Sequence, residues 1–485
     1  MTNPTLNLAL PGNPRYQPKS LQGIFGYDYL YKGVAEVEIA AMRTLAEIGI
    51  IPPEVIAHLT DEVVGRLLAI TTSQVDEVER TITRHDIRAW VRIAQGIVGP
   101  ELKPWVHALL TSYDVLDTGR ILLFVRAHAV VTELTDAVIS HLCTLTKKYA
   151  DTVQIGRTHG QHALPITVGF WFATILSRIL TNIQSANSAA EKLVGKISGA
   201  VGAYNAQVGL GIAARCGDKT FEERVLEKLG LKPAPISTQI LPPEPLANYL
   251  LPCVELSLAL GQFGRDARHL MRTEIGELCE PFENGQVGSS TMPHKRNPVS
   301  LEGLEGAGLK SQAEFGKVFA TMVSEHQRDL VGSSLLRDLP TIVVNLVYQL
   351  TTMNRKSEDG KPFILRIAVD EVACARNFAI QGDLILAEPL YLALQMAGYG
   401  GDAHEFVNRV AVPFAQTNDI SLFDALEALI STGNHEEVGH AWNDVPSETK
   451  SILKDPKAYI GASRAKALQV VADAETYLER WMLPE

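Results

Sequence analysis

The chain has 485 residues, enough for a large core and for two to four domains. Its 44 basic and 55 acidic residues leave a net charge of −11 without a long basic run, which argues against a nucleic-acid partner. The five cysteines form no Cys-x-x-Cys pair, no apolar run reaches spanning length, and Met1 to Pro18 lacks the order of a secretion signal. A cytoplasmic protein with reduced thiols and no membrane partner is expected.

Taken in order, Met1 to about Lys19 reads as an arm that needs a surface to order it. Apolar residues then recur at helical spacing from Gly33 to Ile48 (Val34, Val37, Ile39, Met42, Leu45), with Gly49 as the stop. Further helical patterns run over Val55–Ala69 and Val75–Gly96, and Gly99–Pro104 is a break. Long proline-free runs follow, Trp105–Leu164, Ile166–Lys232 and Val299–Leu339, and Pro252 and Pro281 bracket another. They are rich in alanine, leucine and glutamate. Helices of that length cannot bury a face alone, so they are expected to bundle. Asn354–Lys361 reads as a connecting loop. Shorter helices are expected over Ile367–Met396, Ala403–Phe414, Ser421–Ile430 and Ser463–Trp481. The fold class is therefore all-α, in three helical domains: 1–110, a central long-helix bundle 111–366, and 367–485.

Three stretches carry chemistry. Gly285-Gln286-Val287-Gly288-Ser289-Ser290-Thr291-Met292-Pro293-His294-Lys295-Arg296-Asn297-Pro298 is a glycine-opened, proline-bracketed loop between helices. It gathers hydroxyls, cations and an amide, the groups needed to grip a carboxylate and set a hydroxyl against a C–H bond. Gly156-Arg157-Thr158-His159-Gly160-Gln161-His162 holds two histidines three apart. Either a proton donor or a metal pair could be read there. Gly160 and Pro165 argue against the helix a metal pair would need, and no third ligand stands out. Leu110-Thr111-Ser112-Tyr113-Asp114 places hydroxyls before a helix, as N-caps or as an anion site. His435-Glu436-Glu437-Val438-Gly439-His440 looks like a zinc-protease motif, but its histidines are five apart and it reads as a polar loop.

The loop Ser-Ser-Thr-Met-Pro-His-Lys-Arg-Asn-Pro resembles the signature of the fumarase/aspartase superfamily, whose members eliminate fumarate from succinyl-type substrates. The stretches Thr158-His159-Gly160-Gln161, Arg84-His85-Asp86, Gly195–Gly202, Ala234–Gln239 and Arg15-Tyr16 are similar to the adenylosuccinate lyase family in particular. The resemblance implies Ser290 as the base for the β-proton, His159 as the acid to the leaving nitrogen and His85 within the site. It implies Thr111, Ser112, Thr158, Gln239, Lys295 and Asn297 as carboxylate contacts. Arg15, Tyr16, Arg328, Ser333 and Arg337 are implied on the nucleotide, and Gly195–Gly202 on a core helix. It also implies a homotetramer with sites shared between subunits, and no cofactor or metal, because the substrate carboxylate is the electron sink.

Departures fall in the nucleotide half. Pro243 stands where the family has arginine, Leu109 where it has glycine, and Leu336 where it has an acidic residue. Lost polar contacts cost discrimination, so a related succinyl adduct with another leaving group is an alternative. A carboxymuconate cycloisomerase shares the loop but lacks the histidine equivalent to His159. A non-catalytic crystallin-like protein is a third reading, against which Ser290, His159 and Lys295 all stand.

Overall fold

The structure, a computed structural model, describes residues 17–283 and 285–480. Arg15 and Tyr16 lie outside them, as does Trp481. Of the described residues, 65% are helical. Among the described residues, no helix is long and apolar enough to cross a membrane.

Two compact units form. One comprises the described part of Met1–Ala137 with Ile179–Gln262 and Gly303–Asn354. The other comprises Val138–Arg178, Phe263–Glu302 and the described part of Arg355–Glu485. The long helices Ser112–Lys148, Val168–Ala190, Glu244–Leu270 and Val299–Ala320 each contribute residues to both.

In the first unit the helix Tyr29–Glu47 buries Val34, Val37, Met42 and Leu45, the stripe that its spacing predicts. It packs in a core that includes Trp90, Phe124 and Tyr249, all fully buried, with the Phe124 and Tyr249 rings edge to face at 6.2 Å. The expected stretch Val75–Gly96 is not one helix. It runs as Thr72–Val78, a wide turn over Glu79–Thr83, and Asp86–Ile97. The break is at Arg84, whose φ of 51° no helix accommodates. His85 follows as N-cap, its Nδ1 accepting from the Arg88 N–H at 3.4 Å. Val55–Ala69 likewise splits, into Pro53–Ile56 and Asp61–Leu68, with Thr60 capping the second.

The second unit holds a C-terminal cluster of short helices around Phe378, Leu390, Phe406, Leu426 and Trp442. The stretch His435–His440, expected as a polar loop, is instead the start of a helix over Glu436–Asp444. Val438, Ala441 and Trp442 supply a buried face that outweighs the charged surface. Five residues of helix turn the two histidines away from one another, as a metal pair would not be. No group of histidine, cysteine or carboxylate residues able to hold a metal occurs among the described residues.

Candidate active site

In the second unit, Thr158-His159-Gly160-Gln161 is the tip of an antiparallel hairpin, Val153–Thr158 with Gln161–Thr167. His159 and Gly160 have φ values of 54° and 76°, the pair of left-handed residues that a two-residue hairpin turn requires. The tip is exposed and its root is anchored. Arg157 donates from two nitrogens to Glu277, at 2.6 and 3.1 Å. Gln154 Nε2 and Asn377 Nδ2 donate to the same carboxylate at 2.7 and 2.8 Å. Glu277 is fully buried. Its charge is matched by a two-pronged guanidinium and its remaining lone pairs are filled, the condition under which a buried ion pair holds geometry. His162, in the second strand, has its pKa lowered by burial and by the Arg157 cation.

The signature loop runs between Glu280 and the helix Val299–Ala320. The Glu280 carboxylate, nearly fully buried, accepts from the Ser300 and Leu301 N–H groups at 3.1 Å each and so ties the base of the loop to the helix start. Inside the loop, Asn297 Nδ2 donates to Gly288 O at 2.9 Å. A Cβ on Gly288 would lie 2.2 Å from Lys295 O, so only glycine lets the two arms approach. The Ser289 hydroxyl accepts from the Met292 N–H at 3.1 Å and is spent on the turn. Ser290 is exposed, with the Thr291 hydroxyl at 3.5 Å. Lys295 is exposed too. The Arg296 guanidinium lies 5.3 Å from the Phe282 ring centroid.

In the first unit, His85, Ser112, Gln239, Arg328, Ser333 and Arg337 line one open hollow of about 680 Å³. Thr111 is next to it, at the start of the helix Ser112–Lys148. Arg328 Nη1 donates to Gln239 Oε1 at 2.7 Å.

The hub beneath this hollow was not legible in the sequence. Asp114 and Lys196 are both fully buried and form an ion pair. Asp114 also accepts from the N–H groups of Thr111 at 2.8 Å, Ser198 at 3.1 Å and Gly199 at 3.3 Å. One carboxylate thus binds the Thr111-Ser112 turn to Gly195–Gly199. The Gly195–Gly202 stretch is therefore not the core helix that the resemblance implies. It is a loop whose backbone N–H groups point at Asp114, with Gly202 at φ 76° and its Cβ position 2.1 Å from Ser237 O. Just before Thr111, His107 and Leu109 both have φ of 64°. Leu109 thus holds a left-handed backbone at the position where the resemblance expects glycine, at a cost of about 1–2 kcal/mol. His107 is held there by buried Glu38, at 2.9 Å to its N–H and 2.6 Å to Nδ1.

Pro243 and Leu336 fall on the same side of the site. Both line an apolar hollow beside the polar one, along with Ile240, Leu241 and Tyr113. The Leu241 N–H is held by Asp117 at 3.0 Å, and burial pushes that carboxyl's pKa up.

A family model described as lyase matches residues 20–311. The chain is 34% identical over 479 residues to the adenylosuccinate lyase of Pyrococcus abyssi, covering 97% of this chain and 98% of that one. It is 36% identical over 419 residues to that of Pyrococcus horikoshii, covering 84% and 88%. Among solved structures, the 3-carboxy-cis,cis-muconate lactonizing enzyme of Pseudomonas putida superposes with a TM-score of 0.77 at 25% identity, covering 95% of this chain and 98% of that one. A signature loop with its serine exposed, a histidine on an anchored hairpin tip and this near full-length kinship agree: the chain belongs to the lyase family of the fumarase/aspartase superfamily.

Proposed function

We propose that the protein releases fumarate from adenylosuccinate, leaving AMP. The observation that carries this reading is the 34% identity to an adenylosuccinate lyase over 97% of the chain. Ser290 as alkoxide takes the β-proton, and the electron pair moves onto the neighbouring carboxylate. That group then carries two negative charges, which Lys295 and the donors Thr111, Ser112, Thr158, Gln239 and Asn297 stabilise. The C–N bond then breaks, the C=C bond of fumarate forms, and His159 gives its proton to the leaving nitrogen. His85 orients or assists. Arg15, Tyr16, Arg328, Ser333 and Arg337 hold the phosphate end.

The spent hydroxyl of Ser289 and the exposed one of Ser290 support Ser290 as the base. A serine becomes basic only beside fixed positive charge, which Lys295 supplies. We further propose a cytoplasmic homotetramer serving purine biosynthesis, with sites shared between subunits. Support for that is the family resemblance.

The test is a substrate panel followed by absorbance. Adenylosuccinate is expected to be consumed with equal yields of fumarate and AMP, and 3-carboxymuconate to be left untouched. Turnover of 3-carboxymuconate alone would move the protein to the cycloisomerase branch, with which it shares its fold.

A further inference from the structure

We propose that Tyr113 is a positioning residue that sets Arg328 and Ser333 for the phosphate end of the substrate, an inference that rests on the reading above. The resemblance assigns no role to Tyr113, and the acidic residue it expects beside the arginine-serine group is Leu336 in this chain. Tyr113 reaches both groups. Its hydroxyl lies 2.6 Å from Ser333 Oγ. The Arg328 guanidinium carbon sits 3.6 Å from its ring centroid, a close cation–π stack. The residue is 7% exposed, so its ring has little freedom to swing away.

The consequence is geometric. Stacking fixes the plane of the Arg328 guanidinium, and the bond to Gln239 fixes its rotation in that plane. Arg328 Nε is buried without a protein partner. With Tyr113 as hydrogen-bond donor, Ser333 keeps its own proton for an anion's oxygen. Tyr113 lines both the polar hollow and the apolar one that Pro243 and Leu336 line, as do Asp329 and Ser333. A leucine at 336 can neither pair with Arg328 nor hold Ser333, and the phenol does both.

The experiment compares AMP with adenosine, which differ only in the phosphate, by calorimetry on the wild type, Tyr113→Phe and Ser333→Ala. Wild type is expected to prefer AMP. Tyr113→Phe keeps the stack and loses the hydroxyl. It should weaken AMP about tenfold, the size of one hydrogen bond, and leave adenosine within about twofold. The KM for adenylosuccinate should rise in step while kcat stays within about threefold. The double variant should bind AMP no worse than Ser333→Ala alone, because the two hydroxyls act as a unit. Unchanged AMP binding in Tyr113→Phe, equal weakening of both ligands, or a wild type indifferent to the phosphate would each overturn the proposal. If the wild type turns over no adenylosuccinate, the lyase reading fails separately, and the AMP and adenosine affinities still decide the role of Tyr113.

Discussion

Replacing Asp114 with asparagine probes the hub of the first unit. The substitution keeps the shape and removes the charge. Two consequences follow from the contacts. Lys196 Nζ, fully buried, is left without its counter-charge. One position of the new side chain must also present an NH₂ group, and both carboxylate oxygens currently accept from backbone N–H groups, Oδ2 from Thr111 and Oδ1 from Ser198. Breaking one side of a buried pair costs about 3–5 kcal/mol. Lys196→Met should cost less, about 1–3 kcal/mol, because three backbone N–H groups still satisfy the carboxylate. The double variant Asp114→Asn/Lys196→Met buries no charge, so its loss should fall short of the sum by about 2 kcal/mol.

Urea unfolding at one protein concentration and an unchanged slope reads all three losses as shifts of midpoint. An Asp114→Asn loss below about 1 kcal/mol, or strict additivity in the double variant, would refute the hub.

Gly288→Ala should spare stability, because the loop is largely exposed, yet lower kcat/KM by at least about tenfold, since the Cβ would collide with Lys295 O and part the arms that carry Ser290 and Lys295. Unchanged steady-state kinetics would show that the arms do not need this approach. His128 has its pKa lowered from 6.5 to about 4 by burial. The unfolded chain takes up that proton first as pH falls. The stability contributed by the neutral ring is therefore complete above pH 6.5 and lost progressively down to about pH 4, by up to about 3 kcal/mol. His128→Gln should show a flatter stability profile than wild type across that window, and parallel profiles would dismiss the ring as the cause.

The loop 285–298 was legible because its chemistry is local: glycines, prolines, hydroxyls and cations in one run, with meaning that does not depend on what packs against them. The long helices were legible in part: the proline-free runs Trp105–Leu164, Ile166–Lys232 and Val299–Leu339 hold the helices Ser112–Lys148, Val168–Ala190 and Val299–Ala320, each of which stops well short of the end of its run. One limit of that rule is Pro252, expected as a boundary. It lies inside the helix Glu244–Leu270. Contacts over long separations left no trace. Asp114 and Lys196 are 82 residues apart, and Arg157 and Glu277 are 120 apart. Nothing in the sequence pairs any of them with its partner. The hairpin was hidden because its strands are short and mixed in polarity, although Val153-Gln154-Ile155 does alternate and His159-Gly160 is a usable turn pair. The resemblance places Gly195–Gly202 on a helix, whereas its glycines, of which Gly199 and Gly202 have positive φ, mark a loop. The split at Arg84 put His85 at a helix cap. Only tertiary packing selects that φ, so periodicity alone ran through it.

In the proposed mechanism Ser290 removes the proton and His159 supplies one. Fumarate release from adenylosuccinate by wild type, Ser290→Ala and His159→Ala, each verified as folded with wild-type oligomeric state, tests it most directly. Turnover is expected in the wild type, with a loss of at least about 10³-fold in kcat in each variant. A Ser290→Ala variant within about tenfold of wild type would contradict it and require another base.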